Sequence, residues 1–263
     1  SPSAVSSSSS SSSTLGNNNP PPVHGLSRSL LSRLIAAGHG ARLLRTQYRC
    51  HPAIAAVANS HFYANRLIDG VTAEQRAPLV PWLPPLSLVD VRSGAAEEYN
   101  GSNGSGSVSN RAEAAAVVRL VSRLRAAGVR PGSVGVICFF RAQVEVVRRL
   151  LLENRMQQQN QNRQQERPAA EVEKKEEEKQ EEENDEEEEE EESAENDDED
   201  EIPTVATVDS YQGCEKDVII VTTAATRPSA FTRDTHRVNV AVTRARRHLV
   251  GVGHGGALVA AGG

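Results

Sequence analysis

The sequence predicts an α/β fold, a parallel sheet with helices on both faces, in which ligands are expected at the carboxyl ends of the strands. Short, continuously apolar runs, VGVICFF (134–140) and DVIIVTT (217–223), have the length of strands that are buried on both faces. These runs alternate with longer segments of helical spacing, and parallel strands need such crossover helices between them. The chain is therefore predicted to alternate strands and helices around one sheet.

The first half of the chain contains two predicted helices and one predicted strand. LSRSLLSRLIAAG (26–38) has helical spacing and ends at a glycine, which is a common helix stop. PAIAAVANSHFYANRL (52–67) begins with a proline, whose missing N–H costs nothing in the first turn of a helix. LSLVDV (86–91) alternates as a strand does, and the stretch 99–109, rich in Gly, Ser and Asn, is predicted to be a flexible loop.

The second half contains the remaining strands and helices. Asn110 and Glu113 are predicted to cap the helix RAEAAAVVRLVSRLRAAG reciprocally. The strand 134–140 is followed by the predicted helix RAQVEVVRRLLLE, which ends near Glu153. VATVDS, DVIIVTT and HLVGVG are predicted to be three more buried strands, and RVNVAVTRARR (237–247), between the last two, is predicted to be helical.

Composition divides the chain into a folded part and two segments that cannot build a core. Residues 1–25 are rich in Ser, Asn and Pro, and residues 154–203 are Gln-rich and then acidic. Both segments are predicted to be disordered, because they have too little apolar surface to offset the entropy of ordering them. Residues 26–153 and 204–263 are then two parts of one domain of about 190 residues. The chain begins with Ser1 rather than Met, as expected for a piece of a longer protein.

The net charge of −6 conceals two opposite regions. Residues 171–201 contain 22 acidic residues and 3 lysines, whereas the rest of the chain holds 26 basic and 13 acidic residues, and 25 of those 26 are arginines. Because a guanidinium offers phosphate a two-pronged set of donors, the basic part favours a phosphate-bearing partner. Arginines on an ordinary solvated surface are the alternative. The acidic tract is either a spacer or a tethered polyanion that competes with nucleic acid.

The cysteines argue against two classes of site. Cys50, Cys138 and Cys214 lie far apart without Cys-x-x-Cys spacing, and no histidine pair has zinc spacing, so neither a metal site nor a disulfide framework is predicted. A reducing compartment is expected. No apolar run is long enough to span a membrane. Cys50 is expected to be a small buried residue rather than a nucleophile, and His51 to cap or support the turn before Pro52.

Three separated stretches, QYRCHP (47–52), TVDSYQGCEKDVIIVT (207–222) and RVNVAVTRARRHL (237–249), resemble motifs IV, V and VI of superfamily 1 helicases. The resemblance is to the second RecA-like domain in the branch that includes senataxin and the nonsense-mediated-decay helicase. Within that branch it is strongest to the GRF-zinc-finger DNA helicases, and it covers residues 26–254 apart from the insertion. It implies a RecA-like, P-loop NTPase helicase C-terminal domain that works with ATP and Mg²⁺ on single-stranded nucleic acid.

The resemblance also implies roles for individual residues. Arg49 and Arg244 correspond to two arginine fingers, which cancel the charge that builds on the γ-phosphate in the transition state. Tyr48 corresponds to the residue that stacks on adenine, and Glu215 to the acceptor of a ribose hydrogen bond. The implied nucleotide-binding residues are Tyr48, Gln212, Gly213 and Glu215. The implied nucleic-acid contacts are Thr207, Ser210 and Gln143, of which the two hydroxyls suit sequence-independent phosphate contacts.

Several charged residues keep two interpretations. Arg246 and Arg247 belong either to a solvated edge or to one that faces nucleic acid, and Arg237 fits an ion pair that holds its helix. Asp209 is either a cap or a link between the two sites. The sequence departs from the family at Ala225, where an arginine is usual, and at 138–140, where Cys, Phe and Phe replace a Thr–Pro–Tyr type of run.

The sequence lacks two motifs that an ATPase needs. No G-x-x-x-x-G-K-[ST] occurs, and no Asp–Glu pair follows an early strand. The phosphate cradle and the Mg²⁺ ligands are therefore expected on a first RecA-like domain of the same protein, and this chain alone is expected not to hydrolyse ATP. The leading hypothesis is the C-terminal motor domain of a nuclear helicase, rather than a cytoplasmic one, that acts on DNA in repair or recombination. The alternatives are an RNA helicase of the same branch and a non-catalytic, helicase-derived binding module.

Overall fold

The structure, a computed structural model, describes residues 29–92, 94–100, 106–177, 202–227 and 232–256, without the side chains of 98–100 and 162–177. The chain divides into two compact units, Ser1–Leu43 and Leu44–Gly263. The disorder predicted for residues 1–25 and for most of the acidic tract concerns residues outside the described part of the chain.

The described part of the first unit contains one short helix, α1 (Leu30–Ala36). Ser29 caps its start, since the Ser29 hydroxyl oxygen accepts a hydrogen bond from the N–H of Ser32 at 3.1 Å. This helix lies inside the segment for which helical spacing predicted a helix. Its exposed large apolar side chains are Leu30, Leu31, Leu34 and Ile35.

The second unit is built on a five-stranded parallel sheet. The strands of this unit, in chain order, are β1 (Thr46–Gln47), β2 (Ile68–Asp69), β3 (Leu86–Asp90), β4 (Glu97–Asn100), β5 (Gly106–Ser109), β6 (Val134–Cys138), β7 (Thr204–Thr207), β8 (Lys216–Thr222) and β9 (Ala245–Gly253). The order across the main sheet is β3-β9-β8-β6-β7, and every neighbouring pair is parallel, which confirms the predicted sheet. β1 pairs with β2, and β4 with β5.

The β4–β5 pair corrects one prediction. These two strands are antiparallel and occupy part of the stretch 99–109, which was expected to be a loop throughout. Backbone hydrogen bonds between two short strands need no apolar side chains, so a stretch rich in Ser and Gly can still pair.

The helices of the second unit are α2 (Pro52–Phe62), α3 (Arg111–Ala126), α4 (Arg141–Glu177) and α5 (Thr235–Val242), with a short 3-10 helix at Pro131–Ser133. α2 ends earlier than expected because Ala64 and Asn65 adopt positive φ angles of 51° and 57°. α4 continues beyond Glu153, where the insertion was expected to begin, because Gln, Glu and Arg are good helix formers.

The segment 237–247 is only partly helical. α5 ends at Val242, and β9 begins at Ala245. Arg246 and Arg247 are therefore strand residues rather than the end of a helix. The predicted helix extended too far because the short turn between α5 and β9 contains neither glycine nor proline to mark the end of the helix.

Helices cover both faces of the sheet, as predicted. Successive side chains of a strand point to opposite faces, so Val136 and Ile220 pack with α3 and α4, whereas Ile137 and Ile219 pack with α2 and α5. None of the helices in the described part of the chain is both long and apolar enough to cross a membrane.

The loop 208–215 connects the end of β7 to the start of β8 along the face that α2 and α5 cover. Tyr211 of this loop is buried, and a Cβ on Gly135 would overlap the Tyr211 hydroxyl, so glycine is needed there. We call the end of the sheet at which β8 and β9 begin the amino edge, and the end at which β6, β7 and β8 finish the carboxyl edge. The loop 208–215 thus joins the two edges.

Candidate nucleotide half-site and carboxyl-edge network

The QYR stretch forms a turn that Gln47 holds in place. The Gln47 side-chain oxygen accepts hydrogen bonds from the N–H groups of Arg49 and Cys50 at 3.0 and 2.9 Å, and its nitrogen donates to the Asp69 carboxylate at 2.7 Å. A side chain that satisfies two neighbouring backbone donors stabilises such a turn. The backbone that carries Tyr48 and Arg49 is therefore well anchored.

Further hydrogen bonds join this turn to the rest of the unit. Arg76 donates to the carbonyls of Arg49 and Tyr48 at 2.8 and 2.9 Å. The N–H of His51 donates to the carbonyl of Arg246 at 2.7 Å. The His51 ring accepts the N–H of Ala53 at 3.0 Å and so caps the start of α2, which is one of the two roles predicted for His51.

Cys50 is a buried residue of this turn, with 5% of its surface exposed. Burial raises the pKa of its thiol to about 11. Since the thiolate rather than the thiol is the nucleophile and the metal ligand, this environment keeps Cys50 inert. The prediction of a small buried residue is confirmed.

Glu215 bridges two arginines at the amino edge. Its Oε2 accepts a hydrogen bond from Nε of Arg49, and its Oε1 accepts two from Nε and Nη2 of Arg246, at 3.0 and 2.6 Å. The hydrogen bonds from Arg246, with the one from Arg49, hold the pKa of Glu215 below its usual range. The side chains of Arg49 and Glu215 are 34% and 31% exposed, so the cluster faces solvent.

Arg244 adds a second cation beside Arg49. Burial lowers the pKa of the Arg244 guanidinium, and the positive charge of Arg49 lowers it further. Nε of Arg244 donates to the carbonyl of Val240 at 3.0 Å, and Nη1 of Arg49 donates to the carbonyl of Thr243 at 2.9 Å. Within the described residues, the two Nη groups of Arg244 and Nη2 of Arg49 have no acceptor. Adjacent guanidiniums with spare donors are suited to bind a polyanion.

The other predicted nucleotide-binding residues are open to solvent. Tyr48 is 65% exposed, and its ring lies against Gly70, where a Cβ would overlap it. Gln212 and Gly213 are exposed in the loop that leads to Glu215. Gly213 has a φ of +91°, a conformation that favours glycine.

Thr207 and Ser210 lie at the carboxyl edge, where β7 ends. The Thr207 hydroxyl donates to the Ser210 hydroxyl at 3.0 Å and accepts the N–H of Ser210 at 3.3 Å, which closes a turn. Arg237 forms ion pairs with Asp209 at 3.1 Å and with Asp234, the cap of α5, at 2.9 Å. The predicted role of Arg237 in holding its helix is confirmed, and Asp209 links this turn to α5.

Gln143 is fully buried near the carboxyl edge. Its side-chain oxygen accepts the N–H of Asn110 at 2.8 Å, and its nitrogen donates to the Asn110 carbonyl and the Thr222 hydroxyl, both at 3.2 Å. Gln143 thus ties α4 to the start of α3 and the end of β8. Its implied contact with nucleic acid has no support in this geometry, because the amide is inaccessible.

Glu113 is also fully buried, and the predicted reciprocal capping pair was wrong. Asn110 caps α3 as predicted, accepting the N–H groups of Ala112 and Glu113 at 3.0 and 3.1 Å. The Glu113 carboxylate instead accepts the Thr222 hydroxyl at 2.6 Å and the N–H of Ala224 at 2.8 Å. Burial raises the pKa of Glu113. We call Asn110, Glu113, Gln143, Thr222 and Ala224 the carboxyl-edge network.

Glu215 and Arg244, two of the predicted nucleotide-site residues, do not lie at the carboxyl ends of strands, where ligands were expected. Glu215 directly precedes β8, and Arg244 directly precedes β9. Because β8 and β9 are parallel neighbours, both residues lie at the amino edge. The carboxyl-end rule describes ligands that an open sheet binds by itself. The predicted nucleotide and nucleic-acid residues are therefore at opposite edges of this sheet.

Sequence reasoning missed several participants in the amino-edge cluster. It left Arg246 open, whereas the structure pairs Arg246 with Glu215 at 2.6 Å and Arg247 with Asp217 at 3.4 Å. Gln47 had a usable signal, since a polar side chain at the start of a turn often satisfies the next backbone donors. Nothing in the sequence marks the Thr243 carbonyl as an acceptor. In the described part of the chain, no group of three or more His, Cys, Asp or Glu side chains is arranged to hold a metal ion.

The comparisons with known proteins agree with one another. Residues 26–256 match the AAA domain family. The chain is 33% identical over 230 residues to the 5'-3' DNA helicase ZGRF1 of Mus musculus, covering 88% of this chain and 10% of that protein. It is 32% identical over 239 residues to Regulator of nonsense transcripts 1 of Caenorhabditis elegans, covering 88% and 19%. It is 30% identical over 238 residues to the ATP-dependent helicase NAM7 of Saccharomyces cerevisiae, covering 88% and 20%. The chain thus spans a tenth to a fifth of the length of these relatives.

Proposed function

Because the chain belongs to the AAA domain family, in the superfamily 1 helicase branch, we propose that it is the second RecA-like motor domain of an ATP-dependent helicase. In this proposal, Arg49 and Arg244 are arginine fingers on the γ-phosphate of an ATP molecule that a first motor domain holds. Tyr48 stacks on the adenine, and Glu215 accepts a hydrogen bond from the ribose. Gln212 and Gly213 complete this half of the nucleotide site.

The two adjacent guanidiniums carry this proposal. Like charges repel, so holding Arg49 beside Arg244 costs free energy, and Glu215 pairs with Arg49 but not with Arg244. A γ-phosphate spreads negative charge over three oxygens, and phosphoryl transfer needs cations there in the transition state. The three spare Nη donors supply charge-assisted hydrogen bonds of the kind that such oxygens accept.

The described residues do not fit the Mg²⁺ that accompanies ATP. The carboxylate of the half-site, Glu215, is already paired with two arginines, and the described part of the chain has no cluster of metal-ligating side chains. Mg²⁺ prefers carboxylate and phosphate oxygens in octahedral geometry. We therefore assign the Mg²⁺ ligands and the phosphate cradle to the first motor domain, and we expect this chain alone to show no ATPase activity.

For the second substrate we propose single-stranded DNA, in repair or recombination within the nucleus. The name of the mouse relative, a DNA helicase, supports DNA. RNA is the second candidate, which the similarity to Regulator of nonsense transcripts 1 favours. Thr207 and Ser210 are the accessible hydroxyls that we assign to phosphate contacts. ATPase stimulation by single-stranded DNA and RNA of one sequence separates the two candidates.

The finger assignment is tested in the full-length protein. Arg49→Ala and Arg244→Ala should each lower the nucleic-acid-stimulated kcat for ATP hydrolysis by roughly 10³-fold. Nucleotide affinity should change little, because a finger acts mainly in the transition state. Steady-state kinetics and equilibrium binding of a fluorescent ATP analogue measure the two effects.

Arg247→Ala is the matched control, since Arg247 lies on β9 just after Arg244 but pairs with Asp217. It should keep kcat within about threefold of the wild-type value. If Arg49→Ala and Arg244→Ala both turn over ATP at the wild-type rate, the finger assignment is wrong, and a non-catalytic binding module becomes the better description.

A further inference from the structure

The side chain of Arg246 contacts the nucleotide half-site through Glu215. Its Nε and Nη2 donate to the same oxygen, Oε1, at 3.0 and 2.6 Å. The other oxygen, Oε2, accepts from Nε of Arg49. One carboxylate thus divides its two oxygens between two arginines, and neither arginine takes both.

The backbone also couples Arg246 to Arg49. The carbonyl of Arg246 accepts the N–H of His51, two residues after Arg49, at 2.7 Å. Arg246 is the second residue of β9, so its position is set by the sheet. The side chain of Arg246 is 43% exposed, and its two hydrogen bonds join it to the carboxylate that also pairs with Arg49.

The division of oxygens has a consequence for Arg49. With Oε1 occupied, Glu215 holds Arg49 by Nε, and Nη2 of Arg49 keeps no acceptor among the described residues. A carboxylate released from Arg246 is free to take a guanidinium by two parallel hydrogen bonds, which is the preferred geometry of such pairs. That rearrangement would withdraw from phosphate the donors that Arg49 or Arg244 now leaves open.

We propose that Arg246 is a positioning residue of the nucleotide half-site, which keeps one oxygen of Glu215 occupied so that Glu215 orients Arg49 toward phosphate. This inference rests on the proposed function, because it takes Arg49 as the group that meets the γ-phosphate. It removes the two earlier interpretations of Arg246, a solvated edge and an edge that faces nucleic acid. It also gives Glu215 a role in turnover besides its contact with ribose.

The first test uses the full-length protein and the variants Arg246→Gln and Arg247→Gln. Arg246→Gln should lower the nucleic-acid-stimulated kcat by about tenfold or more, because small misplacements of a catalytic group are costly. Its KM for ATP should change by less than about threefold. Arg247→Gln removes an ion pair from the same strand and should leave both constants near wild type. Arg246→Lys should be intermediate, since an ammonium keeps the charge without the paired N–H groups.

A double-mutant cycle shows whether Arg246 affects kcat through Glu215 or through a contact with nucleic acid. If Arg246 acts through Glu215, adding Arg246→Gln to Glu215→Gln should lower kcat by no more than about twofold further. If Arg246 contacts nucleic acid directly, the two effects on kcat should multiply, and the KM for nucleic acid should rise. The second pattern would overturn the inference.

A second measurement, on this chain alone, keeps the test independent of ATPase activity. The Nε–H proton of Arg49 can be followed in ¹H–¹⁵N NMR spectra and identified by the loss of its signal in Arg49→Lys. Its hydrogen bond to Glu215 should slow its exchange with water. Arg246→Gln should weaken this protection, whereas Arg247→Gln should not. If Arg49→Ala is inactive but Arg246→Gln matches the wild type in kcat and in this signal, the inference fails and the proposed function stands. If Arg49→Ala keeps full activity, the proposed function itself fails.

Discussion

The two edges of the sheet hold polar side chains in contrasting environments. At the carboxyl edge, Glu113, Gln143 and Thr222 are fully buried and bond to one another and to the backbone. One oxygen of Glu113 has no partner among the described residues. At the amino edge, Arg49 and Glu215 are about one-third exposed, and donors of the arginines remain free within the described part of the chain.

This contrast suggests different roles for the two edges: buried side chains at the carboxyl edge stabilise the fold, and exposed charges at the amino edge are open to a ligand. Breaking a buried hydrogen bond costs the full desolvation of the partner left behind, so the carboxyl-edge network holds α3, α4 and β8 together. Half-exposed ion pairs contribute little to stability because water and salt screen them. The amino-edge charges are therefore available for a ligand. A polar residue for which the family resemblance implied a nucleic-acid contact, such as Gln143, can instead stabilise the scaffold.

The largest expected effect is the loss of stability when a buried side chain of the carboxyl-edge network is removed. Gln143→Ala should lower the free energy of unfolding of this chain by about 2–4 kcal/mol, because the N–H of Asn110 and the Thr222 hydroxyl lose a buried partner and a cavity forms. Urea denaturation measures this change. Gln157→Ala, at an exposed position of the same helix, should change it by less than about 0.5 kcal/mol. Equal changes in the two variants would show that the network adds nothing.

Acid should lower the free energy of unfolding through His248, which connects β9 to Leu79 and Pro84. His248 is fully buried, accepts the N–H of Leu79 at 2.8 Å, and lies 3.3 Å from the carbonyl of Pro84. Burial lowers the pKa of His248 from its ordinary value of 6.5. The unfolded chain therefore binds this proton more readily, and stability should be lost as the pH falls from about 6.5 through the folded pKa.

The difference in unfolding free energy between the wild type and His248→Asn, followed between about pH 5 and 7.5, isolates this effect. The variant should lose the part of the acid slope that His248 supplies, and His61→Asn, at an exposed position, should retain it. Glu113 acts with the opposite sign, because its raised pKa costs stability as the pH rises. Because Glu113 is present in all three proteins, its contribution to the pH dependence cancels when their unfolding free energies are compared. An unchanged slope in His248→Asn would contradict the assignment.

The smallest effect concerns anion binding to the amino edge. Tripolyphosphate should raise the stability of this chain by about 0.4 kcal/mol at a concentration equal to its Kd, or a shift in Tm of about 1 °C. Arg244→Ala should lose most of this shift and Arg247→Ala should keep it. Added salt should weaken the shift, because it screens exposed charges. A shift of the same size in Arg244→Ala would place the anion elsewhere.

The sequence alone determined the class of fold, all five strands of the main sheet and the three motifs. These features depend on local periodicity and on residues close together in the chain, such as the apolar run that became β6 and the proline that begins α2. It also indicated which side chains belong to the candidate site, because each of them lies in a stretch that resembles a family motif. It was less accurate at boundaries, where α5 ends and β9 begins without glycine or proline to mark the change.

Only the tertiary structure decided how those side chains meet. Arg49 and Glu215 are 166 residues apart in the chain, and their pairing depends on how β8, β9 and the QYR turn pack. The same packing buries Gln143, turns Glu113 away from its own helix cap toward Thr222, and pairs Arg246 with Glu215. Periodicity reports which face of an element is apolar. It carries no information on which polar groups from distant elements share one environment, because that depends on their distances in the folded chain.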